Sequence, residues 1–127
     1  MTNRAIISTP DAPEAIGPYS QAVKVGNTVW LSGQIPLVPG TMELVTGDIQ
    51  AQARQVFSNL AAVAEAAGGS LASVVKINIS LTDMADFAAV NEVMAEFLQP
   101  PFPARACVQV AGLPKGVAIE VEAILVV

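Results

Sequence analysis

Apolar residues recur every three or four positions in two stretches of the chain. Ile49, Ala53, Val56, Leu60, Val63 and Ala67 form one stripe, and Phe87, Val90, Met94 and Phe97 form the other. That spacing places each set on one side of a helix. The first helix is predicted from about Asp48 to Ala67, with Thr46 or Asp48 able to cap its start and Gly68-Gly69 to stop it. The second is predicted from about Met84 to Leu98, with Asp83 as its cap and Pro100-Pro101 as its end.

Elsewhere the pattern has the period of a strand. In residues 73–81, Val75, Ile77, Ile79 and Leu81 alternate with Lys76, Asn78 and Ser80, which predicts one buried and one polar face. Residues 4–9 read as a short strand, followed by a Pro/Gly-rich connection. Residues 21–26 and 28–35 are rich in β-branched and aromatic side chains, with Gly26-Asn27 as a hairpin turn between them. A loop with Pro36, Pro39, Gly40 and Gly47 leads to the first helix. Residues 100–126 read as two apolar strands joined by a Leu-Pro-Lys-Gly turn. The order β, ββ, α, β, α, ββ predicts one α+β domain over residues 1–127, a mixed sheet with both helices packed on one face. The other face then needs a cover.

Composition bears on that cover. Only 13% of residues are charged and 53% are hydrophobic, against about 25% charged in ordinary soluble domains. Little charge is left for the surface of a free monomer, so other copies of the chain are the expected cover. No apolar run reaches the length of a membrane span. The first twenty residues lack both a signal-peptide core and a basic, acid-poor transit pattern, so a cytoplasmic protein is expected.

Charge and residue type also narrow the chemistry. A net charge of −5, with six scattered basic residues, argues against a nucleic-acid partner. There is no histidine and only one cysteine. That removes His-based acid–base catalysis, Ser-His triads, an internal disulfide and cysteine-cluster metal sites, so neither a metal nor a cofactor is expected. Proton chemistry is left to carboxylates, Tyr19, Cys107, a lysine or water.

The last quarter carries polar groups within its most apolar strands. Alternation puts Arg105, Cys107 and Gln109 on one face of the first strand, and Glu120 and Glu122 on one face of the second. A hairpin in the right register would bring the two sets into one pocket, and a one-residue slip would put them on opposite faces. Periodicity leaves that register open. Arg105 reads either as a salt-bridge partner of a glutamate or as a two-pronged clamp for a substrate carboxylate. Glu120 reads as the other half of that ion pair, or as the group that orients or deprotonates a water. Cys107 reads as a small buried hydrophobe whose backbone could serve a ligand. Tyr19 sits in a Gly-Pro turn and Ser32-Gly33 ends a strand, where a β-bulge or the close approach of a ligand would each suit a glycine. Asn91 lies in mid-helix, where most asparagines are simply solvated.

Taken in combination, GPYSQA at 17–22, SGQIP at 32–36, QARQVFSNLAAVAEAAG at 52–68 and PARACVQVAGLPKGVAIEVEAI at 103–124 resemble the Rid (YjgF) family, and within it the enamine/imine deaminases. The resemblance runs in order over nearly the whole chain. It implies a chorismate-mutase-like fold in a homotrimer, with the three sheets forming a central barrel and the sites lying in clefts between subunits. It also implies hydrolysis of small anionic 2-enamino and 2-imino acids, such as 2-aminoacrylate and 2-iminopropionate, to 2-keto acids and ammonia. By position, Arg105 matches the carboxylate-binding arginine and Glu120 the glutamate that orients the attacking water. Cys107 matches a pocket cysteine that contacts ligand largely through its backbone, and Tyr19, Ser32, Gly33 and Asn91 match pocket-lining positions. Two other functions stay open: a non-catalytic regulator that senses small metabolites in the same cleft, and an RNA-cleaving translation inhibitor.

Overall fold

The computed structural model describes residues 3–127, so Met1 and Thr2 of the expected domain lie outside the described residues. The strands are β1 (Arg4–Ile7), β2 (Ala22–Val25), β3 (Thr28–Gln34), β4 (Val74–Leu81), β5 (Ala104–Gln109) and β6 (Ile119–Val126). The helices are α1 (Ile49–Ala66) and α2 (Phe87–Phe97), the latter preceded by a 3₁₀ turn over Met84–Asp86. The strands form one mixed sheet in the order β1-β2-β3-β6-β4-β5. No helix among the described residues is long and apolar enough to cross a membrane.

Local chemistry accounts for these elements. Asp48 caps α1 by accepting the Ala51 N–H at 2.8 Å, and Asp83 accepts the Ala85 N–H at 2.9 Å ahead of α2. Gly26, at φ 60°, makes the two-residue β2–β3 turn, a backbone conformation that costs glycine little. Both helices lie on one face of the sheet. Val56, Phe57, Leu60 and Val63 of α1 and Val90 and Val93 of α2 pack there against Val29, Ile77, Ile79, Ile119, Val121 and Leu125.

Two expectations need correction. Val75 is about half exposed, whereas Val74 is buried. An irregularity between Val74 and Lys76 shifts the pairing of β4 with β6, so the inward positions are Val74, Ile77, Ile79 and Leu81. More consequentially, β5 and β6 do not form a hairpin. β4 lies between them, parallel to β5 and antiparallel to β6. The β4–α2–β5 segment is a parallel crossover, and the residues after β5 step past β4 to reach β6.

The opposite face of the sheet is open. Ile6, Val25, Trp30 and Val126 lie on it, each between 42% and 59% exposed. β1 and β5 are the two free edges.

Candidate functional site

The candidate residues fall into two groups, built by different elements. The first gathers around Glu120. On β3, Leu31 pairs with Ala123 but Gln34 pairs with Val121, so one extra residue bulges at Ser32-Gly33. The bulge brings Gly33 against Glu120: a Cβ built on Gly33 would lie 2.8 Å from Glu120 Cδ and from Oε1. The β-bulge reading of this glycine therefore holds, and the group that comes close to it is the Glu120 side chain of the same chain. Ser32 Oγ donates to the Ser20 carbonyl at 2.6 Å, which ties β3 to the Tyr19 turn. Tyr19 is half exposed, and its hydroxyl accepts the Ile16 N–H at 3.4 Å.

Tyr19, Ser32, Gly33 and Glu120 line a cavity of about 300 Å³ whose apolar wall includes Ile16, Ile35 and Leu37. Two buried amides that the sequence reading missed hold this cavity in shape. Gln21 donates through Nε2 to the carbonyls of Thr9 (3.1 Å) and Pro13 (2.8 Å), and its Oε1 accepts the Thr9 N–H at 2.7 Å. Asn59 donates to the Leu37 carbonyl at 2.9 Å and accepts from Gln55 Nε2 at 2.9 Å. The signal for Asn59 was available, because it interrupts the apolar stripe of α1 between Val56 and Leu60.

The Glu120 carboxyl sits above its ordinary pKa, first because it is partly buried and second because Glu122 lies two residues along the same face. The group is thus held toward the protonated form, opposite to the direction that a neighbouring Arg105 would impose.

The second group gathers on β5. Arg105 Nη1 donates to Asn91 Oδ1 and lies 3.8 Å from Met94 Sδ. The guanidinium carbon stands 5.1 Å from the centroid of the Phe87 ring. Asn91 therefore orients Arg105 instead of pointing freely into solvent. Arg105, Asn91, Met94, Phe102 and Pro103 line a second cavity of about 510 Å³. The one ion pair among the described residues joins Arg54 to Glu96, so the salt bridge considered for Arg105 does not form within the chain. Its Nε and Nη2 donate no hydrogen bond among the described residues, which leaves a fork free for a carboxylate. Cys107 packs against the main core. Burial raises its thiol pKa while Arg105 lowers it, burial being the larger effect. A neutral thiol is a poor nucleophile at neutral pH.

The two groups do not meet within one chain. Arg105 pairs with Ile77 and Cys107 with Ile79, positions on the helix-covered face. Glu120 pairs with Ser80, on the open face. The expectation that a hairpin would join guanidinium and carboxylate in one pocket is overturned by the intervening β4. Each chain offers a guanidinium-bearing half at one free edge and a carboxylate-bearing half on the open face.

Comparison with known proteins bears on what these halves do. The Endoribonuclease L-PSP family model matches residues 9–127. The 2-iminobutanoate/2-iminopropanoate deaminase of Dermatophagoides farinae is 55% identical over 127 residues, 100% of this chain and 99% of that protein. The crystal structure of RidA from an Antarctic Psychrobacter matches with a TM-score of 0.94 at 59% identity, covering 97% of this chain and 99% of that one. E. coli TdcF with bound serine matches with a TM-score of 0.93 at 48% identity, covering 97% and 98%.

Proposed function

The chain belongs to the Endoribonuclease L-PSP family, the Rid (YjgF) family of the sequence resemblance, and from that premise we propose that it is a 2-iminobutanoate/2-iminopropanoate deaminase. It hydrolyses 2-enamino and 2-imino acids to 2-keto acids and ammonia, as the names of its full-length relatives indicate for those proteins. The observation that carries this reading is the Arg105 guanidinium, held by Asn91 over Phe87 with two donors free and no carboxylate partner among the described residues. A fork so prepared suits the carboxylate of an amino-acid-derived substrate, and the serine bound by E. coli TdcF is of that class.

On this reading the protein acts in the cytoplasm as a homotrimer, and each site joins Arg105, Asn91 and Cys107 of one copy to Tyr19, Ser32, Gly33 and Glu120 of the next. The exposed apolar residues of the open face and the two free sheet edges support an assembly that covers them. Association of unlike surfaces closes into a ring when the rotation permits.

The chemistry asks little of the protein, because a 2-imino acid is already electrophilic at C2. Arg105 anchors the carboxylate by two parallel hydrogen bonds, and backbone groups near Cys107 hold the nitrogen. Glu120 orients a water and takes its proton as the oxygen bonds to C2. It then returns that proton to the nitrogen to give a carbinolamine, and the C2 hydroxyl proton passes by way of Glu120 to the amine as the C2–N bond breaks, so ammonia leaves and the 2-keto acid remains. The upward shift of Glu120 favours this exchange, since a carboxyl nearer neutrality both accepts and donates. A partner's Arg105 close by would temper that shift.

The test couples the purified protein to a pyridoxal-phosphate dehydratase acting on serine and follows the decay of 2-aminoacrylate. Faster decay that is mostly lost with Arg105→Ala supports the reading, and a decay rate unchanged by the wild-type protein overturns it. The family description also names RNA cleavage. Cleavage of RNA that survives Arg105→Ala and extensive purification would favour that second function.

A further inference from the structure

The cavity that holds Glu120 is lined by a second acidic residue, Glu14, which is exposed at its margin and which no step of the proposed hydrolysis uses. No lysine or arginine lines this cavity, and the rest of its wall is apolar or uncharged. Glu14 also borders the neighbouring groove along β1 and the Tyr19 turn, so it stands where the cavity opens outward. The turn that carries it is fixed, because Gln21 donates to the carbonyls of Ala12 and Pro13, the two residues before it. Within a chain the one prepared anion-binding fork, Arg105, belongs to the other cavity.

These observations have a consequence for substrate side chains. On the proposed deaminase reading, on which this inference rests, the substrate's own carboxylate is engaged by Arg105 and its C2 lies near Glu120. The side chain then extends into a compartment with the apolar surfaces of Ile16, Ile35 and Leu37 and the negative charge of Glu14. An apolar side chain loses water against those surfaces at no electrostatic cost. An acidic side chain meets like charge with no cation on this chain's wall to offset it, the neighbouring copy's guanidinium being engaged by the substrate's own carboxylate. We infer that Glu14 is a specificity-determining residue that makes the site select 2-imino acids with uncharged side chains over those with acidic ones.

The test compares 2-imino acids generated in place by amino-acid oxidases from leucine and from glutamate, with kcat/KM measured for each. The leucine-to-glutamate ratio of kcat/KM should fall by about 3- to 10-fold in Glu14→Gln, as expected for removing one like charge at a partly exposed site. It should fall further in Glu14→Lys. In the wild-type protein the ratio should shrink as salt is raised, since screening weakens the repulsion. A ratio that is the same in wild type, Glu14→Gln and Glu14→Lys overturns the inference while leaving the deaminase reading intact. Failure of the wild-type protein to hydrolyse either imine overturns both.

Discussion

Replacing Gly33 with alanine should disable the Glu120 carboxylate while leaving the fold in place. The new Cβ would stand 2.8 Å from Glu120 Cδ and Oε1 and 3.0 Å from Cγ. Ordinary contact begins near 3.4 Å, so the carboxyl group must retreat by at least the difference, about 0.6 Å. It can do so by rotation, because the clash is with the end of a flexible side chain and not with backbone. Gly33 is not among the residues with positive φ, so alanine introduces no backbone strain. The rotation costs roughly 0.5–1.5 kcal/mol if it leaves a rotamer well. Loss of the glycine's freedom in the unfolded chain returns about 0.4–1 kcal/mol. Net stability should therefore change by less than about 1 kcal/mol. Catalysis is less forgiving, since a misplacement near 1 Å costs up to about 100-fold. In the dehydratase-coupled assay, kcat should fall by about 10- to 100-fold with little change in KM, because the carboxylate anchor is untouched. A kcat within twofold of wild type at an unchanged melting temperature would refute the reasoning. So would a collapse of the melting temperature, which would assign the glycine to the fold and not to Glu120.

Arg105→Ala should lower kcat/KM by about 10- to 150-fold, the equivalent of roughly 1.5–3 kcal/mol for a charged hydrogen-bonding anchor, and wild-type kinetics would remove that anchor. Asn59→Leu leaves the buried Leu37 carbonyl without its donor, so urea denaturation should show a loss of about 1–3 kcal/mol. Glu120 has a raised folded-state pKa, so its contribution is most favourable below the ordinary value of 4.5 and is lost as the pH rises through the folded-state value. Glu120→Gln should flatten that decline in chemical-denaturation profiles measured across the acid range, and an unaltered profile would place the titration elsewhere.

Much of the fold was legible because single-segment chemistry dictates it. The stripes Val56-Leu60-Val63 and Val90-Met94 gave both helices, Asp48 and Asp83 their starts, and Gly26-Asn27 the tight β2–β3 hairpin. Pairing was not legible in the same way. β5 is an edge strand, mostly exposed on both faces, and its residues carry no mark of which neighbour they join. The length of the β4–α2–β5 segment was the available clue, since a strand, a helix and a strand in succession favour a parallel crossover. The same gap governed the site. Alternation assigned Arg105 and Glu120 to faces of their own strands, but only the insertion of β4 between those strands set the two faces against each other. Gln21 and the Gly33–Glu120 contact depend on residues distant in sequence, which no local pattern reports, whereas Asn59 was marked locally by its break in the apolar stripe of α1.

The division of one site between two copies is tested most directly by mixing two impaired variants. Arg105→Ala and Glu120→Ala chains, each expected to keep no more than about a tenth of wild-type activity alone, are co-refolded at equal ratio into mixed assemblies. If Arg105 of one copy works with Glu120 of the next, about one quarter of the interfaces join two intact halves, and activity should return to about a quarter of the wild-type value. If both groups served a site within one chain, no intact site could form. Mixed assemblies verified by mass spectrometry and no more active than either variant alone would contradict the shared site.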